Sequence, residues 1–190
     1  MIGTRVLALA SLLFAAPLAF AQAPLTSGVP ASVDILFPPL SGGGFRTLDF
    51  GVVLDGYMSD MTRTVHLGKA RADEREVYDS VLEAQEAAVA AVAPGVTASE
   101  MDEVARSVLR RAGLGKYFSH STGHGVGLEI HEGPRLAAKQ KQVLEEGMVI
   151  TIEPGVYMPG KFGLRIEDMV LVTSKGGEVL TPSVKAWIEL

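Results

Sequence analysis

TLDFGVVLDGYMSDMTRTVHLG, residues 47–68, reads as a β-hairpin from its own chemistry. Asp55-Gly56 suits a two-residue type I′ turn between β-rich runs. With those residues as the turn, Leu54 faces Tyr57, and counting back sets Asp49 against Thr62. Asp60 then shares a sheet face with Asp49, one step along the diagonal. Diagonal partners lie about 7–8 Å apart by Cα, near enough for both carboxylates to reach one cation or a close pair. Two ordinary strand-end aspartates are the plain alternative. Asp is disfavoured in strands, however, and two on one face need a reason.

Downstream, residues 71–93 place Val77, Val81, Ala84, Ala88 and Val92 at three- and four-residue steps, the period of a helix with one apolar face. Pro94-Gly95 ends it. Ser99-Glu100-Met101-Asp102 offers an N-cap for a second helix running to about Ala112, before Gly113. Next comes FSHSTGHGVGLEIHEGP, residues 118–134, which holds His120, His124 and His131, three of the chain's four histidines. Its alternating glycines each cost a helix about 1 kcal/mol relative to alanine, so extended or looped backbone is expected. Taken alone the segment is either a metal-binding stretch or a Gly-rich turn that contains imidazoles. Along a strand His120 and His124 share a face, whereas His131, seven residues past His124, points the other way unless the chain bends at Gly125 or Gly127.

The runs MVITIEPGVYMP (148–159) and FGLRIEDMVLVT (162–173) have strand character and are separated by Pro159-Gly160. In each, a glutamate interrupts apolar sequence: Glu153 beside Ile152, and Glu167 beside Ile166. A half-buried glutamate must find a cation or an arginine, and Arg165 could serve one of them but not readily both. His66 reads as a surface residue at the end of the first hairpin. The chemistry-bearing set is then Asp49, Asp60, His124, Glu153 and Glu167, four carboxylates and an imidazole. Oxygen-rich ligation with one nitrogen suits Mn²⁺, Co²⁺, Fe²⁺ or Zn²⁺, and four carboxylates able to bridge suit two ions better than one.

The ends and the bulk composition bound the reading further. Residues 1–21 have a short basic start, an apolar run and an AFA-Q junction, the build of a cleavable signal peptide, so a periplasmic or secreted protein is expected. The apolar run of about 15 residues is short of the roughly 20 needed to span a membrane, so no stable anchor is expected. Residues 22–44 are a Pro/Gly/Ser-rich linker or arm, and 45–190 form the ordered domain. The chain has 190 residues, a net charge of −5 and no cysteine. The acidic balance argues against a nucleic-acid partner. Lack of cysteine removes disulfides, thiolate metal sites and a cysteine nucleophile.

Four stretches, LDFGVVLDGYMSDMTRT, HSTGHGVGLEIHEGP, GMVITIEPGVY and GLRIED, resemble in order the motifs of the pita-bread (creatinase/aminopeptidase) metallopeptidases. The likeness is greatest to the Xaa-Pro peptidase branch, aminopeptidase P and Xaa-Pro dipeptidase (prolidase). It implies an α+β pita-bread fold and a two-metal centre, with manganese the first choice and Co, Zn or Fe the others. By resemblance Asp60 and Glu167 bridge the ions, Asp49 holds one, and His124 and Glu153 hold the other. It makes a metal-bridging hydroxide the nucleophile, Glu153 the proton carrier and His131 a substrate contact that stabilises the tetrahedral intermediate. His120 is similar to a histidine near the proline end of the substrate, and Arg165 to an arginine that orients the site. The implied substrate is a peptide with proline at its second position. The chain departs from the family pattern ahead of Asp49, where helices and a further histidine are expected. The first half of the fold therefore reads as incomplete: either a second copy or another chain covers it, or the chain is an N-terminally truncated or rearranged product with impaired folding. A non-catalytic or degenerate peptide-binding domain of the same fold is the alternative. A metal-independent creatinase-type hydrolase is disfavoured because all five ligands are present.

Overall fold

The computed structural model describes residues 43–190. The expected signal peptide and the arm up to residue 42 lie outside the described residues. Strand β1 (Gly44–Phe50) pairs antiparallel with β4 (Met61–Leu67), and β2 (Val53–Leu54) pairs with β3 (Tyr57–Met58) in the same register. Leu54 lies opposite Tyr57 and Asp49 opposite Thr62, as the turn chemistry predicts. Asp55 and Gly56 adopt φ of 52° and 88°, the left-handed pair that a type I′ turn requires.

Helix α1 (Ala72–Ala91) buries Val77, Val81, Ala84 and Ala88, the face set by their spacing. Helix α2 (Ala98–Arg111) begins two residues earlier than the Ser99 cap predicts. Thr97 takes the N-cap instead: its hydroxyl accepts from the Glu100 N–H at 3.2 Å, and the Glu100 carboxylate accepts from the Thr97 N–H at 2.8 Å. That reciprocal box satisfies two backbone donors at once, whereas Asp102, three residues past Ser99, has its carboxylate engaged by Arg106 and Thr122.

Five antiparallel strands form the main sheet: β5 (Gly123–Gly125), β6 (Glu132–Leu136), β7 (Val149–Ile152), β10 (Asp168–Thr173) and β11 (Gly176–Val179), in the order β11-β10-β7-β5-β6. Both helices pack against it, α1 over β7 and β11 and α2 over β6. Ala84, Ala88, Met101, Ala105 and Leu109 from the helices and Leu136, Ile150, Ile152, Val170 and Val172 from the strands are almost wholly excluded from water. The helices contribute alanines interleaved with the larger Met101 and Leu109, against branched side chains from the strands, so the two layers interdigitate. Among the described residues no helix is long and apolar enough to cross a membrane. The architecture is the α+β arrangement expected.

Each of the two late apolar runs is not one strand but two. β7 leads into β8 (Gly155–Met158), and β9 (Phe162–Arg165) leads into β10, with breaks at Glu153-Pro154 and Ile166-Glu167. The pairs Ile152↔Asp168 and Gly155↔Arg165 share one register, so the two strands bend together and Glu153 falls opposite Glu167 at the bend.

His66 is not a surface residue, contrary to its position at a hairpin end. It is 2% exposed and its ring stacks on Trp187 at 5.4 Å. The cause is the C-terminal segment, which runs alongside β4: the His66 N–H donates to the Ile188 carbonyl at 2.9 Å and the Leu190 N–H donates to the His66 carbonyl at 2.9 Å. His66 Nδ1 meets the Gly68 carbonyl at 2.8 Å and Nε2 stands 3.4 Å from Glu74.

A second buried polar hub lies beneath the sheet bend. Asp168, with no exposed surface, accepts from Arg63 (2.6 Å), Lys185 (2.7 Å), Gln85 (2.9 Å) and Thr181 (2.9 Å). Burial opposes ionisation of this carboxyl, but Arg63 and Lys185 outweigh it and hold its pKa below the ordinary value. Its contribution is therefore fully present above the unfolded carboxyl pKa of about 3.9, and is lost as pH falls through the lower folded value. Asp168→Asn leaves Arg63 buried without a counter-charge and is expected to cost about 3–5 kcal/mol. Thermal denaturation at neutral pH should show a melting temperature lower by roughly 10 °C or more. A shift no larger than that of the exposed control Asp73→Asn would refute this role.

Candidate metal centre

The two hairpins meet at one point. Thr62 of β4 and Glu167 pair as an isolated antiparallel bridge, the Glu167 N–H donating to the Thr62 carbonyl at 3.1 Å. The Thr62 hydroxyl also donates to the Glu167 carboxylate. Thr62 is itself the cross-strand partner of Asp49, so this bridge sets the aspartates of the first hairpin beside the glutamates of the second.

β5 brings in the imidazole from the other side. Gly123 is required there, because a Cβ at that position would lie 1.9 Å from the Thr151 carbonyl oxygen of β7. With strands this close, the His124 N–H reaches the Thr151 hydroxyl at 3.0 Å. His124 Nδ1 lies 3.0 Å from the Gly125 carbonyl, a group that can only accept, so Nδ1 carries the hydrogen. Nε2 is left facing carboxylates, 3.2 Å from Glu153 and 3.8 Å from Asp60. Ligand atoms of Asp60, His124 and Glu167 all lie within 4.8 Å of one another.

Arg165 stands over this group, its Nε 3.8 Å from Glu153 and 4.0 Å from Glu167. It neighbours both glutamates, but its hydrogen bonds go elsewhere: Nε to the Thr62 hydroxyl at 3.1 Å, Nη1 to the Tyr157 hydroxyl at 3.0 Å and Nη2 to Asp49. Asp49, whose side chain is half exposed, thus joins the cluster through Arg165.

The other two histidines line the same cleft of about 750 Å³. A register shift between His124 and Gly125 turns the chain after β5, and the His131 ring returns to within 4.3 Å of the His124 ring. The bend at Gly125 that a shared position requires is therefore present. His120 Nδ1 meets the Ser121 carbonyl at 2.8 Å, and its buried Nε2 has no hydrogen-bond partner in the protein. Burial lowers the His120 pKa, so the ring is neutral at pH 7. Its backbone is held by Arg106, which donates to the Phe118 and His120 carbonyls at 3.0 and 2.9 Å and forks onto Asp102. The sequence reading passes over Thr62, Tyr157 and the Asp102–Arg106 pair. Thr62 was recoverable as the residue opposite Asp49, and the four-residue spacing of Asp102 and Arg106 was a helical pairing signal.

Electrostatically the cluster is under-neutralised. Burial, then the Asp60 and Glu153 charges, push the Glu167 pKa up to about 8. Burial and Asp49 raise Asp60 to about 6. Burial disfavours the His124 imidazolium, yet Glu153, the Gly125 carbonyl and Asp60 outweigh it and raise its pKa. Hard oxygen donors crowded around one imidazole nitrogen, whose other nitrogen is fixed by a carbonyl, form the donor set of a divalent transition-metal site. The residues present fit such ions.

The sequence matches the metallopeptidase family M24 over residues 22–174, and the chain belongs to that family. A Xaa-Pro dipeptidase of Pyrococcus furiosus is 52% identical over 139 residues, covering 73% of this chain and 40% of the relative. Among solved structures, the Xaa-Pro dipeptidase from Bacillus anthracis superposes with a TM-score of 0.76 at 51% identity, covering 77% of this chain and 41% of that one. The X-Pro aminopeptidase from Thermotoga maritima gives 0.74 at 42% identity, with 77% and 42% covered. The fold is therefore the pita-bread fold, and the chain spans about two-fifths of the length of these relatives.

The raised carboxyl pKa values fix a sign. Both groups bind protons more tightly folded than unfolded, so the metal-free protein loses stability as pH rises from about 4 through 8. A divalent cation entering the cluster displaces the Glu167 proton and the proton on His124 where the ring is charged, so Mn²⁺ binding at pH 7 should release one proton or more per chain, and fewer at pH 9. Calorimetry in buffers of different ionisation enthalpy measures this directly. Binding at pH 7 with no proton release would show that Glu167 is not among the ligands.

Proposed function

We propose that this domain is a dinuclear metal-dependent peptidase that cleaves the bond preceding proline, as a Xaa-Pro dipeptidase or aminopeptidase. The observation that carries the proposal is the convergence of Asp60, His124, Glu153 and Glu167 at the junction of two hairpins. One of these carboxylates, Glu167, is almost fully buried, and among the described residues no cation lies closer to it than Arg165 at 4.0 Å. Asp49, Asp60, His124, Glu153 and Glu167 are the proposed ligands of two divalent ions, manganese first and Co, Zn or Fe as alternatives. Asp60 and Glu167 would contribute to holding both ions. The ions, when bound, acidify a water and polarise the scissile carbonyl.

The remaining chemistry falls to the chain's own groups. Glu153, with one oxygen 3.2 Å from His124 Nε2 and the other facing Arg165, is placed to accept the proton of the attacking water and return it to the leaving nitrogen. His131, beside His124 on the cleft rim, donates to the developing oxyanion. Neutral His120 presents Nε2 and a ring edge beside Tyr157, a mixed polar and apolar wall suited to a pyrrolidine ring. Arg165 ties Asp49, Tyr157 and Thr62 into one frame and keeps the acidic groups in place.

Two variants separate binding from chemistry in the Mn²⁺-loaded full chain. Glu167→Gln removes a charge shared by both ions and is expected to abolish their binding, read by elemental analysis. His131→Ala is expected to keep the ions while kcat for Gly-Pro falls by roughly 10²-fold or more, the size of one lost oxyanion donor. Unchanged metal content in Glu167→Gln would defeat the ligand assignment. Full metal binding by the unmutated chain with no cleavage of Gly-Pro or an Xaa-Pro-Pro peptide would select the alternative, a peptide-binding domain of the same fold.

A further inference from the structure

An Asp–Arg pair four residues apart on an exposed helix face contributes little, because water screens both charges. Asp102 and Arg106 of α2 have that spacing but not that setting. Asp102 is 1% exposed and its carboxylate accepts four hydrogen bonds: from Arg106 Nε and Nη2 at 2.9 and 2.8 Å, and from the Thr122 hydroxyl and N–H at 2.9 and 3.2 Å. Arg106 also donates to the Phe118 and His120 carbonyls, at 3.0 and 2.9 Å. Its guanidinium lies over the Phe118 ring, 4.3 Å from the centroid. Phe118 meets the His120 ring edge-on at 5.1 Å, and His120 leans on Tyr157 at 5.5 Å. A stack of side chains thus runs from α2 into the cleft.

Residues 118–122 belong to neither helix nor strand, so no backbone ladder fixes them. Their two ends are held differently. At Thr122 the backbone is secured without the ion pair: its N–H also reaches the Leu136 carbonyl at 2.8 Å, and its carbonyl accepts from the Glu153 N–H at 2.8 Å. At His120 the sole donor to the carbonyl among the described residues is Arg106. The end of the segment that leads to the proposed metal ligands therefore has supports of its own. The end that presents His120 depends on the guanidinium.

We propose that Asp102 and Arg106 are positioning residues for substrate binding: the pair fixes His120, and with it the wall that meets the proline ring, and leaves the metal ligands to other supports. This rests on the peptidase reading given above, in which His120 and Tyr157 face the pyrrolidine. A residue held by its carbonyl on one side and by the Phe118 ring on another has little freedom to tilt. A wall preset in this way loses less conformational freedom when the ring arrives. Asp102 acts one step further back. Its carboxylate sets the plane of the guanidinium fork, so that both carbonyls are met at once. An ammonium has no such plane, and lysine cannot reproduce the arrangement in full.

The test uses the full chain below the onset of melting, so that every protein compared is folded. Arg106→Leu and Asp102→Asn each break the pair. The double variant Asp102→Leu/Arg106→Leu replaces both partners with apolar side chains and leaves no buried charge unpaired. Arg110→Leu, which removes an exposed arginine of the same helix, is the control. Calorimetry gives the affinity for Mn²⁺ and, in the Mn²⁺-loaded protein, for L-proline; Gly-Pro hydrolysis gives kcat and KM. In the two single variants and the double variant, the proline Kd and the Gly-Pro KM should rise roughly 10- to 100-fold, the scale on which lost supporting contacts act. Their kcat and Mn²⁺ affinity should be nearly unchanged. Arg106→Lys should recover part of the loss, and Arg110→Leu should match the unmutated chain. Should the single variants fail to fold, the double variant decides. Proline affinity in the double variant equal to that of the unmutated chain makes the pair a structural brace and overturns the proposal. A fall in Mn²⁺ affinity as large as the fall in proline affinity also overturns it, because the pair then acts on the ions. An unmutated chain that binds proline without cleaving Gly-Pro sinks the peptidase reading alone, and proline binding by the variants still decides the role of the pair. One that does neither overturns both.

Discussion

A single buried guanidinium determines where everything else can sit. Arg63 is 2% exposed and donates to the Thr62 and Glu167 carbonyls, to the Asp168 carboxylate, and to the Thr181 and Ser183 carbonyls. Those partners belong to the first hairpin, the bend of the second and the C-terminal tail. A planar fork of fixed geometry tolerates little variation in where its acceptors lie, so the three segments are locked in one relative placement. The desolvation of such a charge is severe, and only a full set of acceptors offsets it. The Thr62–Glu167 bridge is the immediate neighbour of this lock, and the carboxylate cluster is built on that bridge.

The cluster illustrates a division between groups that stabilise the fold and groups that oppose it. Asp168 and Glu167 are adjacent in sequence and both are buried. Asp168 faces two cations and two neutral donors, and its charge is favourable there. Glu167 points the other way along the strand, toward Asp60 and Glu153, and its charge is resisted. Alternation along one strand thus assigns one acid to cohesion and the next to a site that attracts cations. The same alternation in β6 buries Leu136 under a helix and leaves Arg135 on the cleft side.

Much of this was legible from local pattern. Asp55-Gly56 fixes a register that carries through to Asp49 and Thr62, because a two-residue turn leaves no freedom in the count. The glycines around His124 ruled out a helix, and the strand that forms needs Gly123 for close approach to β7. What escaped was non-local. His66 looked like a hairpin end because nothing near it in sequence predicts that residues 188–190 return to cover it. Arg165 seemed able to serve one glutamate. It stands between both, and its hydrogen bonds go to Thr62, Tyr157 and Asp49, partners that the sequence spaces far apart. The paired bend at Glu153 and Glu167 was also hidden, since each run alone reads as an unbroken apolar strand.

The tail that covers His66 carries Trp187, the chain's single tryptophan. Its indole lies 5.0 Å from the Tyr78 ring, 5.9 Å from Phe45 and beneath the Arg75 guanidinium at 4.9 Å, so one fluorophore touches β1, α1 and β4 together. Intrinsic emission of this protein is therefore a gauge of whether its last residues are docked. It stands apart from the carboxylate cluster, whose ring neighbours are histidines and Tyr157. Optical signals from the indole would follow the closing of the C-terminal strap, and occupancy of the cleft would need a label of its own.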